Sequence, residues 1–520
     1  MPTTFISPAE PDFWKAPLVP ASAPYLEAIR RYADRRPGRF HVPAHKGGAG
    51  APALLAQALG GGLELDVPLC IEGIDIGPGE SPLDRAELLA AATWGARRTW
   101  FLVNGASEAS HALCLALGQT GGVAVVQRNV HSSTIHGLVL GGVRPVFVQP
   151  GLDDDLGVAH CVDPLELAAT LDRTPDAVAA FIVSPTYFGA AADVQGLARV
   201  CRERGVALVV DEAWGAHFRF HERLPQDALA AGAHAVISGT HKLIGSLTQS
   251  AMLHLGHDCP QQLDEAGISR ALRLVRTTSP SSLLLASLDA ARAHVDEHGA
   301  ALLHRTLAEM DVVKQQIRDV CGLGVLGDEL VGRHGVAGFD PLRLAIDVRA
   351  AGIDGHLLAA DLLRTADINL ELVTDRVLIA HVGIGEPLLA DGERLVEALR
   401  AVLQDAPAAP PRAMERSPAA RFGEFAMSPR DAFFAPHDVL ALGDAVGRIS
   451  ADSIAVYPPG IANVLPGERF TAPLVAYLLE MTLRGCPLRG TWDERTGSVR
   501  VVRRPSCTPA RIPSPSQGHS

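Results

Sequence analysis

Two segments of the chain set a reactive side chain just past an apolar run: VVDEAWGAH (Val209 to His217) and SGTHKL (Ser238 to Leu243). An aspartate at one strand end and a lone lysine after a later strand are what a pyridoxal phosphate (PLP) site needs. The amine forms a Schiff base, and the carboxylate keeps the pyridine nitrogen protonated so that the ring accepts electrons. Taken singly, Asp211 reads as a strand-end cap and Lys242 as a solvated loop lysine. Together and in this order, on alternating strands, they favour the cofactor, because ligands of α/β sheets bind at the carboxyl ends of strands.

A phosphate needs backbone N–H groups and a hydroxyl converging at a helix N-terminus. VNGASEAS (Val103 to Ser110) offers a strand end, then Gly105, Ala106 and Ser107 opening an apolar helix. A plain N-cap explains Ser107 equally well. His131 in QRNVHSST follows the apolar run GVAVVQ and could lay an imidazole face on a flat ring, and His241 beside Lys242 could donate to phosphate. An isolated histidine is more often a structural hydrogen-bonder, so both gain weight only from their neighbours.

From about Thr99 to Leu255 short β-rich apolar runs alternate with helical patterns, which predicts βαβ units and a mostly parallel sheet buried on both faces. The expected organisation is an N-terminal arm (1–35), a large α/β domain (36–275), a smaller α+β domain (276–403) opened by a long helix from Ser282 to Val320, a Pro- and Ala-rich linker (404–421), a C-terminal α+β module (422–503) and a disordered tail (504–520). Strand candidates of the smaller domain lie near Leu342 to Val348 and Val377 to His381.

The 520 residues, 47% hydrophobic and 20% charged, suit a multi-domain globular chain with large cores. Forty-six Lys plus Arg against 58 Asp plus Glu leave a net charge of −12, which argues against nucleic-acid or anionic-lipid partners. Eight dispersed cysteines without CxxC spacing read as reduced thiols, with no metal framework. With no signal peptide and no apolar membrane span, the expected place is the cytoplasm.

With these residues in hand, the sequence resembles the Orn/Lys/Arg decarboxylase family of fold-type-I PLP enzymes, particularly its compact bacterial arginine/lysine branch. The resemblance runs from about Arg36 to Phe470. Its carriers are FHVPAHKGGAG (Phe40 to Gly50), QRNVHSS (Gln127 to Ser133), SPTYFG (Ser184 to Gly189), VVDEAWGAH, SGTHKLIGSLTQSAML (Ser238 to Leu253), RTTSPSSLLLASLDAAR (Arg276 to Arg292) and YPPGIANVLPGE (Tyr457 to Glu468). It implies an aspartate aminotransferase-like large domain. Lys242 would be the Schiff-base lysine, Asp211 would pair with the pyridinium, Ala213 would pack beneath the ring and His131 would stack over it. Ser107 and His241 would hold phosphate, with Thr277 or Thr278 reaching across a dimer interface. Gly105, Ala106, Trp214, Ser238 and Thr240 complete the implied cofactor site.

The chain departs from the family pattern at Ala44 (usually Gly), Ala106 (Thr), Gly239 (Ser), the Ile71-Glu72-Gly73-Ile74-Asp75 loop (Leu-Asp-Asp-Leu-His) and Ala462 (Pro). Ser238 and Thr240 flank Gly239 as substitutes for the missing hydroxyl. The implied reaction is decarboxylation of a basic amino acid (arginine, lysine or ornithine) to its amine, with Lys242 or His131 returning a proton to Cα. Glu72, Asp75 and Glu468 are the expected partners of the substrate's distal cation. Other outcomes on the same cofactor (aminotransfer, elimination, oxidative deamination) and a catalytically silent partner protein stay as alternatives. The implied assembly is a homodimer or larger, and the implied context is polyamine biosynthesis.

Overall fold

The computed structural model describes residues 22–77, 79–118, 121–405, 425–456, 462–483, 487–491 and 497–504. The chain divides into one unit of residues 1–420 with 458–461 and a second of 421–457 with 462–520.

The first unit is built on a seven-stranded sheet of β1 (Arg98–Leu102), β2 (Val123–Gln127), β3 (Arg144–Val148), β4 (Ala177–Val183), β5 (Ala207–Asp211), β6 (Ala235–Ser238) and β7 (Ala251–Leu255), in spatial order β1-β7-β6-β5-β4-β2-β3. β2 to β6 run parallel, and β7 lies antiparallel between β1 and β6. β2 and β6 are buried along their whole length, which is why they read as unbroken apolar runs. Asp211 pairs with Val183 on one side and Ile237 on the other, so the carboxyl ends of β4, β5 and β6 finish level. The loops that follow them therefore emerge side by side at one edge.

Connecting helices cover both faces. They include α2 (Pro82–Trp94), α3 (Gly105–Gly118), α4 (Ser132–Gly141), α5 (Pro164–Asp172), α6 (Val194–Glu203), the single turn α7 (Thr240–Leu243) and α8 (Glu265–Val275). The described part of the expected arm is α1 (Pro24–Asp34), which packs on α2 and on the long helix α9 (Ser282–Cys321). There the Tyr25 amide donates to Asp289 at 2.9 Å, and Arg292 bonds both Asp289 and the Ser22 carbonyl.

α9 ends at Gly322, whose positive φ of 65° stops the helix within two residues of the expected end. Its first half, Leu285 to Leu307, is buried with the large sheet's core, and Met310, Val313 and Ile317 are buried with a second core. That second core belongs to an antiparallel sheet of β8 (Gly324–Val325), β9 (Leu344–Asp347), β10 (Leu372–Val373) and β11 (Val377–Ala380), in the order β8-β9-β11-β10, backed by α10 (Gly355–Ala366) and α11 (Leu388–Asp405). One helix thus serves both cores. α11 also takes in Gln404 and Asp405 of the expected linker, whereas residues 406–424 and the tail from 505 lie outside the described residues.

The second unit, described by itself, pairs β12 (His437–Ala441) with β13 (Ser498–Val502) and packs α12 (Ala472–Leu483) into a small core around Val464, Phe470 and Leu478. Tyr457 to Ile461 of its expected motif lie outside the described residues. Among the described residues no helix is long and apolar enough to cross a membrane.

Candidate active site

β5 carries Asp211 at its end, and the chain turns at once so that the Ala213 amide donates to Asp211 Oδ1 at 3.1 Å. Trp214 follows, 6% exposed. β6 ends at Ser238, and α7 then presents Lys242, whose amide donates to the Gly239 carbonyl at 3.0 Å. A Cβ on Gly239 would meet the Ala213 carbonyl oxygen at 2.6 Å and Lys242 Cδ at 3.2 Å. The close approach of the two loops accounts for glycine where the resemblance expects serine.

Lys242 Nζ lies 4.1 Å from the centroid of the Trp214 ring and 5.9 Å from that of Tyr187. Burial pulls its pKa down to about 8, with Arg343 adding to the fall and Asp211 and Glu371 opposing it. A lysine in this setting is neutral often enough to act as a nucleophile. Its own carbonyl accepts a hydrogen bond from His381 Nε2.

His131 caps α4: Nδ1 accepts from the Ser133 amide at 3.2 Å, which leaves the ring proton on Nε2. Burial lowers its pKa, Asp211 opposes that, and Lys242 and His136 reinforce it, so the neutral imidazole shares one electrostatic neighbourhood with the other two groups. Behind it the buried Gln127 holds the strand end, donating to Asn129 Oδ1 at 2.7 Å and accepting from the Val183 amide at 3.0 Å. Lys242, Asp211 and His131 are therefore gathered, as expected, at the carboxyl edge of the sheet.

The segment expected to hold phosphate opens α3. Gly105 takes a positive φ of 72° and its amide donates to the Gln249 carbonyl, while Ala106 and Ser107 follow in the first turn, where amides have no intrahelical acceptor. Glu108, fully buried one residue on, accepts from the Val103 and Asn104 amides and is neutralised by Arg276 Nε at 3.0 Å. Arg276 and Glu108 are thus positioning groups that sequence reasoning missed.

His241 needs a correction as a donor: Nδ1 lies 2.7 Å from the Ser250 carbonyl and must hold its proton there, so the neutral ring offers only a lone pair at Nε2. Burial lowers its pKa and Lys242 adds to the fall, against the pull of the Ser250 carbonyl, and the balance favours that neutral form with no proton at Nε2. Thr240 is fully buried and accepts from Ser246 Oγ at 2.9 Å. Thr277 and Thr278 are exposed, and Thr277 Oγ1 accepts from the Ser279 amide.

Of the three expected distal-cation partners, Asp75 and Glu468 accept hydrogen bonds from backbone amides of their own turns. Both Asp75 oxygens are taken by its own loop, from the Cys70 amide at 2.6 Å and the Ile71 amide at 2.8 Å, and Glu72 is an exposed neighbour in that loop. Glu468 is fully buried in the second unit, where Oε2 accepts from the Leu465 amide at 2.8 Å. The physical reason is shared: unpaired backbone N–H groups at tight turns claim the nearest carboxylate.

Polar atoms without partners test the fit of PLP. On the loops flanking Lys242, the buried Ser238 Oγ, Thr186 Oγ1 and Trp214 Nε1 have no hydrogen-bond partner among the described residues. Such groups are costly unless a polar ligand meets them. With Asp211 for a ring nitrogen, Lys242 for an aldehyde and the first turn of α3 for a phosphate, the residues fit that cofactor.

Comparison with known proteins agrees with this arrangement. Residues 23–341 match the model of the Orn/Lys/Arg decarboxylase major domain and residues 412–487 that of the C-terminal domain of the same family. The chain is 35% identical to an arginine decarboxylase of Halalkalibacterium halodurans over 92% of this chain and 97% of that protein. It is 33% identical to an arginine decarboxylase of Bacillus subtilis over 92% and 98%. Its fold is similar to that of a constitutive lysine decarboxylase of Escherichia coli, with a TM-score of 0.75 at 21% identity, covering 93% of this chain and 82% of that one. The gathered Lys242, Asp211 and His131, the doubly matched domains and the near full-length likeness together make the chain a member of the Orn/Lys/Arg decarboxylase family.

Proposed function

We propose that the chain converts arginine to agmatine and carbon dioxide, using PLP held by Lys242, Asp211, His131 and the first turn of α3. As a member of its family it is a basic amino-acid decarboxylase. Arginine is preferred here because the arginine decarboxylases at 35% and 33% identity align with more than nine tenths of the chain. The observation that carries the reading is the convergence of Lys242, Asp211 and His131 in one electrostatic neighbourhood. It also leaves the catalytically silent alternative without support.

PLP, when bound, supplies the sink for the electron pair that remains on Cα as carbon dioxide leaves. The chain's own residues do the rest. Asp211 holds a positive charge at the ring nitrogen, and Trp214 and Ala213, both 6% exposed, keep water from the reacting face. Lys242, whose ammonium gives up a proton near pH 8, is the group that can return one to Cα, while the neutral His131 keeps its Nε2 proton as a hydrogen-bond donor. The net change is R–CH(NH3+)–COO− + H+ to R–CH2–NH3+ + CO2.

The assembly belongs to the same proposal: a cytoplasmic homodimer or larger, serving polyamine biosynthesis. Phe40 is fully exposed, Val42 70% and Leu54 83%, an amount of bare apolar surface that suits a contact between copies. The test is kcat/KM of the PLP-loaded protein for arginine, lysine and ornithine. Arginine should lead by at least about tenfold, and a lead by lysine or ornithine overturns the substrate choice.

A further inference from the structure

Arg343 stands directly before β9, in the turn where its amide donates to the Asp340 carbonyl at 3.0 Å. It is 2% exposed, and Nε, Nη1 and Nη2 are all buried without a hydrogen-bond partner among the described residues. Its Cζ lies 4.4 Å from the centroid of the Trp214 ring, the same indole that carries Lys242 Nζ. Gly189 makes room for its stem, since a Cβ there would meet Arg343 Cβ at 2.9 Å.

The neighbouring carboxylates leave the guanidinium's donors unmet. Asp340 Oδ1 is taken by the Leu342 amide at 2.9 Å and by His217 Nε2 at 3.3 Å, its buried Oδ2 makes no hydrogen bond to the guanidinium, and Asp340 and Glu371 act on Arg343 through their charge alone. A buried guanidinium with every N–H unmet is costly, and an aromatic face offsets only part of that. The arrangement makes sense when an anion arrives with the ligand. The planar fork matches a carboxylate in two-point contact, and the amino-acid substrate brings one on the carbon that must meet Lys242.

From this geometry we infer that Arg343 anchors the α-carboxylate of the incoming amino acid beside Trp214 and Lys242. The inference rests on the amino-acid decarboxylase reading above. An anchor on the departing group holds the bound substrate and weakens as carbon dioxide forms, so its loss should raise KM without lowering kcat.

The test uses PLP-loaded protein whose cofactor–lysine link has been reduced with borohydride, so that nothing turns over, and measures binding of arginine and of agmatine by calorimetry. Arg343→Met should weaken arginine at least about tenfold and agmatine, which lacks the carboxylate, less than about twofold. Arg343→Lys, which keeps the charge but not the fork, should fall between and remains informative if the Met variant does not fold. Equal losses for both ligands, unchanged arginine binding, or a loss of PLP affinity in place of arginine affinity overturns the inference. Absence of carbon dioxide release from unreduced wild-type protein would instead overturn the decarboxylase reading.

Discussion

The ammonium of Lys242 sits on the face of Trp214, with Nζ 4.1 Å from the ring centroid, and not against a carboxylate oxygen. That choice of neighbour sets the reactivity of the site. A hydrogen-bonded carboxylate would fix the charge on the lysine, whereas burial lets it go at about pH 8 against the weaker pull of Asp211.

Capture of PLP by the apoprotein should follow that pKa. At pH 7 about one tenth of the Lys242 amines are neutral, against about one in three thousand for an ordinary lysine. The capture rate should therefore rise about tenfold from pH 6 to pH 7 and flatten above about pH 8. The visible absorbance of the bound cofactor reports it, and a rate still climbing tenfold per unit at pH 9 contradicts the assignment. Lys242→Ala should show no such band.

Asp211→Asn should leave the fold intact and lower turnover by on the order of a hundredfold or more, because an amide cannot hold a proton on the ring nitrogen. Melting temperature and kcat on the same preparation separate the two effects. Near-normal kcat would mean that another group protonates the ring.

Asp75 is expected to matter for stability and little for specificity. Its carboxylate closes the Cys70 to Asp75 turn through two backbone amides, so Asp75→Ala should cost about 1 to 3 kcal/mol of local stability. The ratio of kcat/KM values for arginine, lysine and ornithine should move by less than about threefold. A larger change in that ratio would return the residue to the substrate pocket.

The gathering of Lys242, Asp211 and His131 at one edge was legible in the sequence because each stands at or just past the end of an apolar strand, and strand ends in a parallel sheet share one edge. The acidic residues were less legible for a physical reason. A loop carboxylate reads the same in sequence whether it faces a substrate or closes its own turn, as Asp75 and Glu468 do. Arg343 had no local signature, since what singles it out is the absence of partners around a buried guanidinium. The direction of β7 was also hidden, because a fully buried strand is apolar whichever way it runs.

Acid should weaken the fold well above the carboxylate range. Burial holds His160 neutral down to about pH 4, although Asp153 works against that, and burial alone holds His254 neutral down to about pH 3. The unfolded chain takes up these protons near pH 6.5 and the folded chain does not, so the stability present above pH 6.5 is lost as pH falls from there toward 4. Two such sites contribute a slope of up to about 3 kcal/mol per pH unit. Urea unfolding at pH 7, 6 and 5 measures it, and a flat profile would mean that the two imidazoles titrate normally.

The central claim is that Lys242, Asp211 and His131 serve removal of a carboxylate and return of a proton to the same carbon. It is tested most directly by following the PLP-loaded protein with arginine labelled at the carboxyl carbon in deuterated water. The account predicts that all label leaves as carbon dioxide, one per agmatine formed, with one deuterium at the former Cα and no ammonia or keto acid. Label retained in a keto acid, or ammonia released in step with substrate loss, would contradict it.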